Sequence, residues 1–267
     1  MCFTANMPRP WNGLKRMADP SKLRVCAIIP ARLQSSRLPN KVLADIAGLP
    51  MLAHVCYRSR LAKTIDEVFV ATDSVEIKKA VEAYGFSVIQ TSDKHQTGTD
   101  RIAEAASKIP CDIVVNVQGD EALVNPAHID AIVGVLLKDP EIKIAIGVTP
   151  FSKKEHHSVI KAVLKENRDV LYFSRADIPS DARTSNPPHL KACHIVPFRK
   201  EILLRYAGWG RTPLEIIEFN EYLRILEKGH SMRAVPIEHA TVSVDTPEDL
   251  ELVRGLIQKD PYLKQYA

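Results

Sequence analysis

Between Arg24 and about Thr149, short apolar runs alternate with segments that carry helix caps and a helical stripe. No other feature constrains the fold as much, because strands separated by helices pair in parallel and bury both faces of one sheet. The strand candidates are Val25–Ile29, Val68–Ala71, Ser87–Gln90, Ile113–Val117 and Ile144–Val148. Asp73 with Glu76 predicts a capping box, followed by Ile77, Val81 and Tyr84 on one face and Gly85 as a stop. Asn125 before Pro126 predicts a second helix start, with Ile129, Ile132, Val133 and Leu136 on its stripe.

After Phe151 the alternation loosens. Val159–Leu164 and Val170–Ser174, joined through the turn-forming Asn167, read as a hairpin. A loop rich in Pro, Ser and Asn runs from Pro179 to Pro188, before a strand around His194–Phe198 that Pro197 weakens. Thr212–Pro213 predicts the start of a long helix reaching Gly229, then a strand near Met232–Val235 and a helix capped by Thr246–Pro247. There is no internal repeat and no low-complexity segment.

With 267 residues, 45% hydrophobic and 25% charged, the chain can bury a full α/β core. The 36 basic and 32 acidic residues are too evenly mixed for a nucleic-acid footprint. Cys2, Cys26, Cys56, Cys111 and Cys193 are scattered without CxxC spacing, so neither a disulfide framework nor a zinc site is indicated, and reduced thiols in a cytoplasm are the expectation. Residues 1–23 lack the apolar stretch of a secretory signal and read as a disordered extension, with Met7 and Met17 as alternative starts. No run approaches the ~20 apolar residues of a membrane span.

The chemistry concentrates where strands end. Ile28–Lys41 reads IIPARLQSSRLPNK, an apolar strand that stops at Pro30 and delivers Arg32, Arg37 and Lys41 into one loop with Ser35 and Ser36. A strand opening into a cationic turn suits a polyphosphate, Arg offering a planar fork and Lys a mobile point charge. The absence of GxGxxG and GxxxxGK[ST] argues against a dinucleotide-binding dehydrogenase and a P-loop NTPase. In HQTGTDR, His95–Arg101, Gly98 permits close backbone approach and Arg101 lies one turn into a helix capped by Thr97 or Thr99. In NVQGDE, Asn116–Glu121, Gln118, Gly119 and Asp120 follow an apolar strand, where open α/β sheets bind ligands. In VDTPED, Val244–Asp249, Asp245 precedes the cap and is free to point elsewhere; were it to meet Asp120, the pair facing a polyphosphate would suit Mg²⁺. YFSR, Tyr172–Arg175, and TPLE, Thr212–Glu215, add an arginine and a glutamate, the latter at the capping-box position.

These motifs, in this order and spacing, resemble the 3-deoxy-manno-octulosonate cytidylyltransferase family, which makes CMP-Kdo, over Val25 to about Ile257. The resemblance implies a Rossmann-like nucleotide-diphospho-sugar transferase fold over 24–267, with a mixed, mainly parallel sheet, helices on both faces, and a hairpin excursion at 159–198 that supports a homodimer. It implies attack of the anomeric hydroxyl of a 3-deoxy-2-ulosonic acid on the α-phosphate of CTP, with release of pyrophosphate, serving lipopolysaccharide or capsule synthesis. By that analogy Pro30 and Ala31 border the nucleotide, Arg32 and Lys41 hold the triphosphate with Arg37 assisting, and Gly98 and Arg101 lie by the cytosine. Asp120 and Asp245 carry Mg²⁺, while Gln118, Arg175 and Glu215 face the sugar acid.

The chain departs from the family at two places, and both fall on the sugar side. Relatives usually read His-x-Gly-x-Tyr-x-Tyr-Arg where this chain has Ala192 to Arg199, and glutamine where it has Tyr222. His194 lies two residues beyond the expected histidine, on the same strand face, and with Tyr222 is a candidate replacement. The nucleotide and metal motifs are intact while the sugar wall has changed, which leaves Kdo, an amino-Kdo and a sialic-type nonulosonic acid as alternative sugars. A catalytically silent nucleotide-binding dimer is the alternative from another class, and retention of both Asp120 and Asp245 speaks against it.

Overall fold

The computed structural model describes residues 22–35, 37–152, 157–183 and 187–267. The expected extension lies outside them apart from Lys22 and Leu23, as does Ser36. In chain order the first elements are β1 (Val25–Pro30), β2 (Asp45–Ile46), β3 (Leu49–Pro50), α1 (Met51–Leu61), β4 (Glu67–Thr72), α2 (Val75–Glu82), β5 (Ser87–Gln90), α3 (Gly98–Ser107), β6 (Ile113–Val117), α4 (Pro126–Lys138) and β7 (Ala145–Phe151). They are followed by β8 (Lys161–Leu164), β9 (Val170–Ser174), β10 (His189–Cys193), β11 (Ile195–Arg199), α5 (Lys200–Ala207), α6 (Pro213–Glu218), α7 (Leu223–Glu227), β12 (Arg233–Pro236) and α8 (Pro247–Ile257).

The first sheet has the order β11-β6-β1-β4-β5, with β6, β1, β4 and β5 parallel and β11 antiparallel to β6. Strand β1 is central, and its residues Val25 to Ile29 are all fully buried. Because side chains alternate along a strand, Val25, Ala27 and Ile29 pack with α1 and α4 on one face while Ile28 packs with α3 and α5 on the other. Helices on both faces of a mainly parallel sheet are what the alternation predicted.

A second sheet, β12-β7-β10-β8-β9, holds β8, β9 and β10 of the expected excursion, with β8 and β9 as the expected hairpin, while its last strand, β11, belongs to the first sheet. An Ile144–Phe198 bridge ties it to the first sheet.

Two local expectations are corrected and one is extended. The cap of α2 is Ser74, whose Oγ accepts from the Ile77 amide at 3.1 Å and donates to Glu76, which releases Asp73 for another partner. The strand expected around His194–Phe198 is β11, and a further strand, β10, precedes it across a bend at His194, where the chain passes from the second sheet to the first. The long helix after Pro213 is α6 and α7, broken where Phe219 adopts φ 50°. Arg175 donates from Nε to the Glu218 carbonyl at 2.9 Å and from Nη2 to the Phe219 carbonyl at 3.1 Å, satisfying carbonyls that a continuous helix would have paired.

Among the described residues Cys26, Cys56, Cys111 and Cys193 are free thiols, and no helix is long and apolar enough to cross a membrane.

Candidate active site

The carboxyl ends of β1 and β6 and the amino end of α3 surround a cleft of about 310 Å³. Two glycines allow these elements to close in. A Cβ on Gly119 would sit 3.0 Å from the Pro30 carbonyl oxygen, so backbone meets backbone there, while on the other side Gly98 lies against the Pro30 ring, 3.4 Å from where its Cβ would be. The amide end of α3 borders the cleft and presents partial positive charge to an anion.

Beyond Pro30 and Ala31 the basic loop runs out with Arg32 exposed on the cleft wall. Asn40 takes a left-handed turn at φ 56°, a conformation asparagine tolerates, and a short 3₁₀ turn over Lys41–Leu43 follows. That reversal returns Lys41 to the cleft floor. Its Nζ donates to Asp120 Oδ2 at 2.7 Å, to the Val244 carbonyl at 2.9 Å and to Asp245 Oδ1 at 3.2 Å. Arg37 reaches the same Asp245 oxygen at 2.9 Å. The two carboxylates singled out in distant motifs therefore converge on one cation, and a backbone bond from the Val244 amide to the Asp120 carbonyl at 3.0 Å holds their segments together.

Arg101 lies on the wall beside Gly98 and is 6% exposed. Its guanidinium is aimed by two partners, Asp73 Oδ1 at 2.7 Å and Thr91 Oγ1 at 2.7 Å. At the cleft mouth His95 is paired through Nε2 with Glu104. Burial alone would raise the Glu104 carboxyl, but Lys108, the Ser92 amide and His95 outweigh it and hold the group down at about 2.

The sugar-side candidates divide. Gln118 lines the cleft and donates to Asn116 Oδ1 at 3.2 Å; Asn116 in turn donates to the Tyr222 hydroxyl at 3.3 Å. His194 stands beside Tyr222, with ring centroids 6.0 Å apart. Tyr222 is buried, which keeps its phenol protonated well above the ordinary range. Of the five sugar-side candidates only Gln118 is among the cleft residues; Tyr222 and His194 lie behind it, and Arg175 and Glu215 are elsewhere. Arg175 is occupied by backbone carbonyls, including those of His157 and Ser158, and Glu215 forms a buried pair with Arg224 at 2.6 Å.

Glu221 escaped the sequence reading, hidden beside the more conspicuous Tyr222. It accepts from the Thr99 amide at 3.0 Å at the start of α3, next to Gly98, and burial raises its carboxyl above the usual range. Asp73 escaped too, because a residue ahead of a helix reads as a cap.

A cationic loop, a helix amide end and a carboxylate pair around one cleft at the carboxyl edge of a parallel sheet define a nucleotidyltransferase, and a family model described as cytidylyltransferase matches residues 26–236. The chain is 44% identical over 240 residues to the 3-deoxy-manno-octulosonate cytidylyltransferase of Myxococcus xanthus, covering 88% of this chain and 97% of that one. It is 40% identical over 247 residues to the protein of the same name from Geobacter metallireducens, covering 86% and 96%. The chain belongs to the 3-deoxy-manno-octulosonate cytidylyltransferase family. A CMP:2-keto-3-deoxy-manno-octonic acid synthetase solved in complex with CTP superposes with a TM-score of 0.85 at 36% identity, over 88% of this chain and 99% of that one.

Proposed function

We propose that this enzyme transfers CMP from CTP to Kdo or a close analogue such as an amino-Kdo, releasing pyrophosphate, in the synthesis of lipopolysaccharide or capsule, and that it works as a cytoplasmic homodimer with Mg²⁺. The observation that carries the reading is the meeting of Asp120 and Asp245 on Lys41 at the foot of the basic loop.

The donor set fits the ion. Two carboxylates with oxygens within reach of one point, in a cleft able to receive phosphate oxygens, are what a hard cation of this size takes. Asp120 and Asp245 are the residues that hold it, and when bound it supplies charge neutralisation on the phosphates.

The remaining work falls to the chain. Arg32 and Lys41, assisted by Arg37, bind the triphosphate and stabilise the negative charge that grows on the departing pyrophosphate. Lys41, released from the carboxylates as the phosphates enter, keeps its charge within the cleft. Pro30, Ala31, Gly98 and Arg101 seat the cytidine, with Arg101 held rigid by Asp73 and Thr91. Gln118 offers its amide to the sugar acid, backed by the Asn116–Tyr222 pair and His194, while Arg175 and Glu215 act from behind by fixing α6 and α7. No covalent nucleophile is needed, because in-line attack by the sugar hydroxyl depends on positioning and charge.

The test is a coupled pyrophosphate-release assay with CTP, Mg²⁺ and a panel of Kdo, amino-Kdo and sialic-type acids. Release with an octulosonic acid supports the reading; release with sialic-type acids alone transfers the enzyme to them, and no release with any acid overturns it.

A further inference from the structure

Glu121 follows Asp120 but turns away from the cleft. It is 5% exposed and accepts a hydroxyl from Thr241 and another from Ser243 Oγ at 3.0 Å. Both hydroxyls belong to residues 239–245, a stretch with no helix or strand of its own. Along an extended chain side chains alternate, and here they sort cleanly. Thr241, Ser243 and Asp245 meet polar partners, whereas Val242 and Val244 pack into the apolar cluster around α8.

We infer that Glu121 is a positioning residue for the Asp120–Asp245 pair. A carboxylate only accepts, so it collects two hydroxyl donors two residues apart and sets the phase of the segment that ends in Asp245. Slipping that segment by one residue would put Asp245 on the apolar side and a valine against Glu121. The adjoining backbone bond between Val244 and Asp120 sets the register at Val244, and Glu121 extends that hold back along the segment to Ser243 and Thr241. Glu121 and Asp120 are neighbours in sequence, so the residue that grips the loop is rigidly tied to the carboxylate that Asp245 must meet.

The inference rests on the reading that the pair holds a divalent cation, and two readouts separate them. Mn²⁺ binding in the presence of CTP is followed by electron paramagnetic resonance, and hydrogen exchange of residues 239–245 is followed in the free protein. Glu121→Ala should raise the Mn²⁺ dissociation constant about tenfold, the scale of losing hydrogen bonds to a charged group. It should speed exchange in the segment by a similar factor while leaving exchange in β1 and β6 and metal-free CTP binding unchanged. Glu121→Gln, which keeps one acceptor oxygen, should fall between. The double variant Thr241→Val/Ser243→Ala removes the same bonds from the loop side and serves if Glu121→Ala fails to fold. Wild-type exchange and wild-type Mn²⁺ affinity in a folded variant overturn the inference. If the wild-type protein itself binds no Mn²⁺ with CTP, the metal reading falls, and the exchange rates alone then decide whether Glu121 holds the loop.

Discussion

Asn116 donates from Nδ2 to the hydroxyl of Tyr222 over 3.3 Å, and Val196 lies directly opposite Asn116 in the antiparallel pairing of β6 with β11. Residues opposite one another in such a pair share a face, so Val196 and Tyr222 occupy neighbouring parts of one buried cluster. A tyrosine on the strand at 196 would therefore compete for space with the tyrosine before α7. Val196→Tyr alone should destabilise the protein by about 1–3 kcal/mol through overpacking. Combining it with Tyr222→Gln should recover much of that loss in urea unfolding, and equal costs for the single and double variants would show that the two sites do not share space. The double variant should also shift the ratio of kcat/KM values toward Kdo over an analogue altered at its far end, because unmatched buried polar groups discriminate strongly.

Asp120→Asn and Asp245→Asn should each lower kcat on the order of a hundredfold or more, as expected when charge stabilisation of the transition state is lost. Circular dichroism should be unchanged, since both groups line a cleft and neither is part of the core. Full turnover in either variant removes that residue from the site.

Asp73 touches Arg101 and is outside the cleft lining. Asp73→Ala should raise KM for CTP about tenfold, the size of one charged hydrogen bond, with a smaller change in kcat. A fall in kcat with KM unchanged would place Arg101 at the reacting phosphate and away from the base.

Arg224 and Glu215 have side chains only 2% and 1% exposed. Arg224→Met leaves the buried Glu215 carboxylate with only the more distant Arg211 at 3.4 Å as a cation and also takes the cation paired with Asp100, and should cost about 3–5 kcal/mol in denaturant unfolding. Burial alone would raise the Glu215 carboxyl, but hydrogen bonds from Arg224 and the Thr212 amide hold it below the ordinary range. A depressed folded value means the pair stabilises the protein above the unfolded carboxyl value near ~4.3 and loses that contribution as pH falls through the folded value. Unfolding curves measured from pH 7 downward should show that decline in the wild type and a flatter profile in Arg224→Met.

The parallel sheet was legible because its signals are local. An apolar run, a cap such as Asn125–Pro126 and a stop such as Gly85 each act within a few residues, and β5 and β6 match the boundaries read from the sequence. The motifs also placed Lys41, Asp120 and Asp245 at element ends, where the fold does put them. What only the tertiary structure decided is contact between distant segments. Lys41 and Asp245 are 204 residues apart, and only the folding of β1, β6 and the stretch before α8 onto one edge brings them within 3.2 Å. The same holds for Arg175, which a motif would send to a ligand but which meets the broken end of α6, and for Asp73, which local preference makes a cap but which pairs with Arg101 once Ser74 takes the cap. Local preference is settled by the backbone of a few neighbouring residues, whereas the partner of a charged side chain is settled by which segments the buried core brings together.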